Sequence, residues 1–259
     1  MTPQTHRSFN VEALAVEIHS SAATLATAAA RRAAGHLRLT LERQATATAI
    51  LASATSQVAF LAALTAEPGV EWQRITLFHM DEYLGIRADH PASFRRFLRE
   101  HVLARIRPAT FHFIAGDAVE PLDECDRYAG LLRAQPVNLC CLGVGENGHL
   151  AFNDPPVADF ADPRTVKLVQ LDDTCRRQQV GEGCFPTLDA VPRYAYSLTI
   201  PALLAAQHLV GVVPDARKAR AVHNALKGPL TPDCPASILR RQPHATLLLD
   251  ASSASELTR

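Results

Sequence analysis

The chain has 259 residues, of which 47% are hydrophobic and 20% are charged, and its formal net charge is zero. That length suits one large α/β domain with a substantial core, and the balanced charge gives no reason to expect a nucleic-acid or membrane partner. The first ten residues lack a basic segment followed by an apolar run, and no apolar run reaches about 18 residues, so neither a signal peptide nor a membrane span is predicted.

Strands and helices are predicted to alternate along the chain. Short apolar runs indicate the strands, and apolar residues at helical spacing indicate the helices. In chain order we predict helix 11–37, strand 45–54, helix 55–67, strand 74–80, helix 93–106, strand 110–116, helix 122–135, strand 137–145, strand 164–171, helix 172–183, strand 194–200, helix 201–207, strand 208–214, helix 215–228 and strand 245–250. The alternation predicts a single domain, residues 1–259, with a doubly wound, mostly parallel, Rossmann-like α/β sheet covered by helices on both faces.

Local signals set several of these boundaries. The first predicted helix is rich in alanine and lacks proline and interior glycine until Gly35. Thr55 or Ser56 is predicted to cap the second helix. The six cysteines are scattered without a C-x-x-C pair, and Cys140 and Cys141 lie in an apolar run that indicates buried packing. This pattern favours a reducing cytoplasm and gives no support for a disulfide framework or a metal site.

Polar and reactive residues follow three of the predicted strands. These segments are ASATSQ at 52–57, HMDEYLG at 79–85 and GVGENGHLAFNDP at 143–155. Ligands in doubly wound folds bind outside the carboxyl ends of the strands. The sequence therefore predicts that the three segments converge on one active site.

The glycine-rich segment matches G-x-G-x-x-G after a strand but is not typical of a dinucleotide site. Such a site must open a helix, and here two prolines follow within a turn or two. The glycines instead favour a sharp turn that presents His149, whose imidazole suits proton transfer near neutral pH. The alternative is an ordinary loop histidine, with Asn153 and Asp154 making turn hydrogen bonds.

The second segment ends a strand with two adjacent carboxylates, Asp81 and Glu82. A partly desolvated carboxylate held at a strand end is a reasonable general base. A helix cap or a solvated turn is the alternative, and composition does not separate the two.

Taken together, four segments resemble the glucosamine-6-phosphate deaminase family, which is related to the 6-phosphogluconolactonases. They are FHMDEYLGI, GVGENGHLAFNDP, VPRYAYSLT and RKARAVHNALKG, and they occur in the family's order from about residue 45 onward. Lactonases usually carry an arginine directly after the paired acids, so Tyr83 and the AFNDP tail are more similar to the deaminase branch. The resemblance implies conversion of glucosamine 6-phosphate to fructose 6-phosphate and ammonia without a metal or redox cofactor.

The resemblance also implies roles for single residues. Asp81 corresponds to the base that moves the C2 proton, His149 to the histidine that assists ring opening, and Asp154 to that histidine's acidic partner. Asn147 lies beside them in the same segment. The residues implied in binding sugar and phosphate are Ser53, Ala54, Thr55, Ser56, Glu82, Gly145, Arg176 and Lys218.

The sequence departs from the family pattern at several of these positions. Asn147 replaces an aspartate, Asp154 is one methylene shorter than the usual glutamate, and ASATSQ lacks the glycines common in the phosphate loop. An amide stabilises an imidazolium less than a carboxylate does, so we expect a weakened ring-opening relay that an Asn147→Asp change would accelerate. Arg176 and Arg177 fall where relatives carry a lid arginine, and a solvated helix face is the alternative for them.

Two other functions stay open at this stage. The first is a lactonase that uses His149 to activate water, and the second is a sugar-phosphate-binding regulatory protein without turnover. All three functions imply a small sugar phosphate as the partner and a cytoplasmic location, and a homo-oligomer is an allowed assembly.

Overall fold

A computed structural model describes residues 5–257 as strands and helices in alternation. The strands are β1 (Thr5–Val11), β2 (Leu14–His19), β3 (Ala47–Leu51), β4 (Ile75–His79), β5 (Asp81–Tyr83), β6 (Thr110–His112), β7 (Leu139–Leu142), β8 (Val166–Gln170), β9 (Tyr194–Leu198), β10 (His208–Val213) and β11 (Ala245–Asp250). The α-helices are α1 (Ala22–Arg43), α2 (Val58–Thr65), α3 (Phe94–Leu98), α4 (Pro121–Arg133), α5 (Asp173–Gly181), α6 (Ile200–Leu204) and α7 (Ala219–Lys227). Each strand and helix predicted beyond residue 45 has a counterpart in this series.

The large sheet has the strand order β1-β2-β11-β10-β7-β3-β4-β6. Its neighbouring strands are parallel except for the antiparallel pair β1 and β2, so the predicted mostly parallel sheet is confirmed. From β3 the chain continues to β4 and β6 on one side, and it later returns to β7, β10 and β11 on the other. The strand order therefore reverses between β3 and β7, which is where doubly wound folds bind their ligands.

Side chains of the central strands alternate between two hydrophobic clusters. Leu51 and Cys141 pack in the cluster that contains α1 and α2, and Ile50 and Cys140 pack in the cluster that contains α4 and α7. Helices therefore cover both faces of the sheet, as predicted. Both cysteines are fully buried and free, which agrees with their predicted packing role. Within residues 5–257 no helix is long and apolar enough to span a membrane.

A second sheet was not predicted from the sequence. It is antiparallel, with the order β5-β9-β8, and Asp81 of β5 pairs with Ser197 of β9. Only Met80 separates β4 in the large sheet from β5 in the small one. A three-residue strand is too short to show a period-two pattern, so the sequence places Asp81 at a strand end and misses the strand that it begins.

The predicted helix over residues 11–37 is wrong in its first third. Residues 14–19 form β2 because their apolar side chains alternate: Leu14, Val16 and Ile18 are buried. Alanine-rich composition further along the segment outweighed this alternation in the prediction. The helix instead begins at Ala22, where the Ser21 hydroxyl accepts a hydrogen bond from the amide of Thr24 in a reciprocal capping box.

Two further boundaries differ from expectation. Helix α1 continues past Gly35 to Arg43, because Leu37 and Leu41 extend its buried face beyond the glycine. Neither Thr55 nor Ser56 caps a helix through its side chain; a 3₁₀ turn, Thr55–Gln57, leads directly into α2.

Acid is expected to weaken the contact between α1 and β10. The rings of His36 and His208 stack with centroids 3.8 Å apart. Burial, with the positive charge of His208 and then Arg32, lowers the pKa of His36 to about 4. Because an unfolded histidine titrates near 6.5, the unfolded chain binds the extra proton between those values, and stability falls as the pH drops through this window.

A His36→Phe variant keeps the stacked ring without the titrating group. We expect it to lose less thermal stability than the wild type between pH 7 and pH 4.5, by at least about 2 °C in Tm. Differential scanning calorimetry across the pH series measures the difference. Two parallel profiles of Tm against pH would contradict the assignment.

Candidate active site

A cleft lies at the carboxyl ends of the central strands of the large sheet, beside the small sheet. It is lined by loops that follow β3, β7 and β10, by the start of β5 and by α5. The predicted residues that line it are Ser53, Ala54, Thr55, Ser56, Asp81, Gly145, His149 and Lys218. The three polar segments therefore converge, as the sequence predicted. Glu82, Asn147, Asp154 and Arg176 lie outside the lining.

Asp81 is a buried carboxylate on the wall of this cleft. Its exposed fraction is 7%, and its Oδ1 atom is buried without a hydrogen bond to any residue in the described chain. Burial raises the pKa of Asp81 well above its ordinary value, and the adjacent charge of Glu82 adds to the increase. Pairing of β5 with β9 fixes the backbone beneath it. Such a group is suited to accept a proton from a bound ligand.

Glu82 points away from the cleft and holds a turn together. Its carboxylate accepts hydrogen bonds from Ser93 Oγ (2.8 Å) and from the backbone amides of Tyr83, Phe94 and Arg95 (3.0–3.1 Å). Ser93 and Phe94 line the cleft. The predicted binding role of Glu82 is therefore indirect in this structure, because its side chain positions residues that face the ligand space.

The glycines of the loop make room for His149. A Cβ atom at Gly145 would collide with the imidazole ring, so the ring packs directly against the backbone there. Gly148 has a φ of +87°, a conformation that favours glycine. The loop closes through the Gly145 amide on the His149 carbonyl oxygen (3.0 Å) and leads to a short 3₁₀ turn, Pro155–Val157. No α-helix directly follows the loop, so it differs from a dinucleotide fingerprint, which opens a helix.

His149 and Asp154 form a buried pair. His149 Nδ1 lies 2.9 Å from Asp154 Oδ1, and Asp154 is completely buried. Burial alone would raise the pKa of Asp154, but hydrogen bonding and charge from His149, together with hydrogen bonds from Asn147 and the Asp172 amide, hold the pKa below its ordinary value. The ionised carboxylate can therefore fix the imidazole through Nδ1, which leaves Nε2 as the nitrogen for chemistry in the cleft.

A second carboxylate supports this pair, and the sequence did not reveal it. Asn147 Nδ2 donates to Asp154 Oδ1 (3.0 Å) and to Asp172 Oδ2 (3.2 Å), while its Oδ1 accepts from the His149 amide (3.1 Å). Asp172 also caps α5 by accepting from Thr174 N. Asp172 is far from the loop in sequence, and its cap position was the only local signal. Asn147 thus bridges two acidic groups.

Helix α5 brings amides and a carboxylate to the cleft. Arg176 faces the other way, with its guanidinium donating to Asp173 and to the carbonyl oxygens of Leu188 and Val191. Arg177 is largely exposed and lies 3.9 Å from Asp173. The residues of the helix and its C-terminal end that line the cleft are Gln178, Gln179 and Glu182. A lid arginine is therefore not present on this part of the described chain.

Lys218 and the 53–56 turn form the polar end of the cleft. Lys218 is 4% exposed, and its Nζ makes no hydrogen bond within the described residues; the nearest acidic atom is Glu182 Oε1 at 3.9 Å. Burial lowers the pKa of Lys218, and the charge of Glu182 opposes that effect. Ser53 Oγ is likewise buried and unpartnered among residues 5–257. A buried ammonium, a hydroxyl and the free amides of a helical first turn suit an anion.

The side chains of His149, Asp154 and Cys175 place donor atoms within 4.8 Å of one another. Histidine, carboxylate and thiol can bind a transition metal. Here, however, His149 and Asp154 contact each other directly. Burial, with the charge of Asp154, raises the pKa of Cys175 far above its ordinary value and keeps it a thiol. The arrangement fits a hydrogen-bonded relay better than an ion site.

Comparison with known proteins places this chain in a family. Residues 20–248 match the sequence profile of the glucosamine-6-phosphate isomerases/6-phosphogluconolactonase family. The chain belongs to this family. A glucosamine-6-phosphate deaminase of Exiguobacterium sibiricum is 33% identical over 189 residues, which is 73% of this chain and 73% of that protein.

Solved structures agree with the family assignment. A monomeric glucosamine-6-phosphate deaminase superimposes with a TM-score of 0.84 at 27% identity, over 93% of this chain and 98% of that one. A 6-phosphogluconolactonase from Shewanella baltica gives a TM-score of 0.74 at 15% identity, over 91% and 96% of the two chains. This second likeness shows a shared fold alone.

The two ends of helix α5 bring acidic groups to two parts of the site. Asp172, at its start, accepts a hydrogen bond from Asn147. Glu182, at its end, lies 3.9 Å from Lys218.

Proposed function

We propose that this chain is an amino-sugar phosphate isomerase and deaminase that converts glucosamine 6-phosphate, or a close relative, to fructose 6-phosphate and ammonia. The observation that carries the proposal is the unpaired, buried carboxylate of Asp81 in the same cleft as the His149–Asp154 pair. A hydrolase of lactones needs an activated water and no carbon base. The unpaired carboxylate of Asp81, in the same cleft as the oriented imidazole of His149, instead suits proton transfer at carbon.

His149 assists the opening of the sugar ring in this proposal. Its Nε2 relays a proton from the C1 hydroxyl to the ring oxygen, so that the C1–O5 bond breaks and C1 becomes an aldehyde. The ionised Asp154 stabilises the imidazolium that forms in passing. Asn147 and Asp172 hold Asp154 in place through the hydrogen bonds described above.

Asp81 then moves the proton that converts an aldose into a ketose. It takes the C2 proton while the C1 oxygen gains a proton from solvent, which leaves a C1–C2 double bond with a hydroxyl on C1 and the amine on C2. A proton returned to C1, with loss of one proton from the nitrogen to solvent, then produces an imine at C2. Water adds to that imine and ammonia leaves, so one water is consumed and fructose 6-phosphate is the product. The raised pKa makes ionised Asp81 a stronger base for taking the C2 proton.

One assay tests the function directly. Purified protein is incubated with glucosamine 6-phosphate in deuterium oxide, and ammonia, fructose 6-phosphate and deuterium at C1 are measured. We expect ammonia and fructose 6-phosphate in equal amounts with deuterium in the product. A parallel incubation with 6-phosphogluconolactone measures acid release. Acid release without ammonia would favour the lactonase, and binding of both sugars without either product would favour a regulatory protein.

The hydrogen bonds of Asn147 support the opposite expectation for Asn147→Asp, namely a slower enzyme. An aspartate at this position loses both donated hydrogen bonds and adds a third carboxylate against Asp154 and Asp172. We expect kcat for glucosamine 6-phosphate to fall roughly tenfold and Tm to fall as well, because like charges would be buried together. The double variant Asn147→Asp/Asp172→Asn brings the number of carboxylates back to two and should recover only part of the loss, because the carboxylates at positions 147 and 154 still face each other. A single variant that is faster than wild type would contradict the bridging role of Asn147.

A further inference from the structure

The polar end of the cleft, formed by Lys218 and the 53–56 turn, contains a carboxylate as well as a cation. Glu182 lines the cleft with a side chain that is 6% exposed, and its Oε1 lies 3.9 Å from Lys218 Nζ. Charged groups outside the lining add to the field at Lys218: Arg217, Glu146 and Asp215. A fully ionised ligand placed at Lys218 would therefore also lie close to the Glu182 carboxylate.

Glu182 is held in this position by α5. Gln178 Nε2 donates to Glu182 Oε1 (2.8 Å), and Gln178 Oε1 accepts from the amide of Glu146 (3.2 Å) in the glycine loop. Glu182 Oε2 makes no hydrogen bond to any described residue, and neither does Lys218 Nζ. One acceptor and one cationic donor are thus both available at the same end of the cleft.

Carboxylate oxygens accept hydrogen bonds and cannot donate them when ionised. Next to such a group, an oxyanion that keeps one proton can donate its O–H, and that charge-assisted bond is short and strong. An oxyanion without a proton has no hydrogen to donate and is repelled by the ionised carboxylate. A phosphate monoester loses its second proton near pH 6, so both of its forms are accessible around neutrality.

We propose that Glu182 is a specificity-determining residue that makes this cleft bind a phosphate group carrying one proton. Lys218, Ser53 Oγ and the amides of the 53–56 turn contact the ionised oxygens, and Glu182 accepts the remaining O–H. The inference rests on the proposed function for the place of the phosphate. It adds that the bound ester is the singly charged form and that proton-free oxyanions are rejected.

Inorganic phosphate and sulfate separate these alternatives, because at pH 7 phosphate always keeps a proton and sulfate has none. Titration calorimetry on the full chain measures the Kd of each anion. We expect the wild type to bind phosphate at least about tenfold more tightly than sulfate. In Glu182→Gln the amide can donate as well as accept, so the preference should shrink to about twofold or less.

Glu146→Gln is the matched control. It removes a charge that also acts on Lys218 but does not line the cleft, so both anions should bind more tightly and their ratio should stay as in the wild type. A ratio near one in the wild type overturns the inference, whether or not Glu182→Gln folds. An unchanged ratio in a folded Glu182→Gln variant also overturns it.

The outcomes distinguish this inference from the proposed function. Ammonia release with a phosphate-to-sulfate ratio near one would leave the deaminase intact and remove the role of Glu182. The expected ratio without ammonia release would support the phosphate site and contradict the deaminase. Failure of both anions to bind at millimolar concentration would contradict the placement of phosphate at Lys218, and the role of Glu182 with it.

Discussion

Replacing Asp81 by asparagine is expected to reduce exchange of the substrate's C2 proton with solvent by roughly 10³-fold or more. Asparagine is nearly the same size but cannot take a proton, so affinity for glucosamine 6-phosphate should stay within a few-fold. Proton NMR in deuterium oxide measures the exchange, and titration calorimetry measures the affinity. Exchange at the wild-type rate in a folded Asp81→Asn variant would rule out Asp81 as the carbon base.

The same substitution should make the protein more stable in mild alkali. Burial places the pKa of Asp81 in the folded protein above that of the unfolded chain, so the folded state binds the additional proton and stability falls as the pH rises through that interval. The Asp81→Asn variant lacks this titrating group, so it does not lose this part of its stability as the pH rises. We expect its gain in Tm over the wild type to be larger at pH 8 than at pH 5. Activity lost together with stability at both values would indicate simple misfolding.

Replacing Lys218 by alanine is expected to raise KM for glucosamine 6-phosphate by about 10- to 100-fold, because a hydrogen bond to a charged group contributes about 1.5–3 kcal/mol. Binding of glucosamine, which lacks the phosphate, should change little. Steady-state kinetics and calorimetry with the two sugars measure the contrast. Equal losses for both sugars would show that Lys218 acts through the fold and does not bind phosphate.

Arg217→Ala is the matched control for Lys218. Arg217 is the neighbouring cation, but it is half exposed, forms an ion pair with Asp215 and does not line the cleft. We expect its KM to stay within about twofold of the wild type, since exposed ion pairs contribute little. The comparison separates a general loss of positive charge from the loss of one positioned ammonium.

The sequence predicted the centre of the fold well because parallel strands and their loops obey strong local and topological rules. Short apolar runs such as residues 137–145 favour interior strands, and the carboxyl ends of parallel strands meet at one edge of the sheet. For this reason the sequence predicts that Ser53, Asp81 and His149 lie together, and all three line the cleft. The amino-terminal hairpin was missed because helix propensity and strand alternation competed within residues 11–37, and tertiary pairing decided the outcome.

The partners of the site residues were beyond sequence reasoning for a different reason. Asp172 and Glu182 act on Asn147 and Lys218 from a helix that is distant in the chain, and no periodicity encodes that approach. Arg176 illustrates the reverse case, in which a plausible residue type turns away to satisfy backbone carbonyl oxygens. Residue type and spacing predict which loops carry chemistry, whereas side-chain direction requires the packed structure.

The cleft lies at the junction between the large sheet and the small sheet. Ser53, His149 and Lys218 follow strands of the large sheet, whereas Asp81 begins the small sheet and Glu182 lies between two of its strands. Asn153, in the loop after β7 of the large sheet, connects the two sheets because its Nδ2 donates to the carbonyl oxygen of Leu198 on β9 (2.8 Å). A ligand that contacts residues of both sheets stabilises the junction between them. We therefore expect a bound ligand to slow amide hydrogen exchange in β5 and α5, because both segments contribute residues to the cleft.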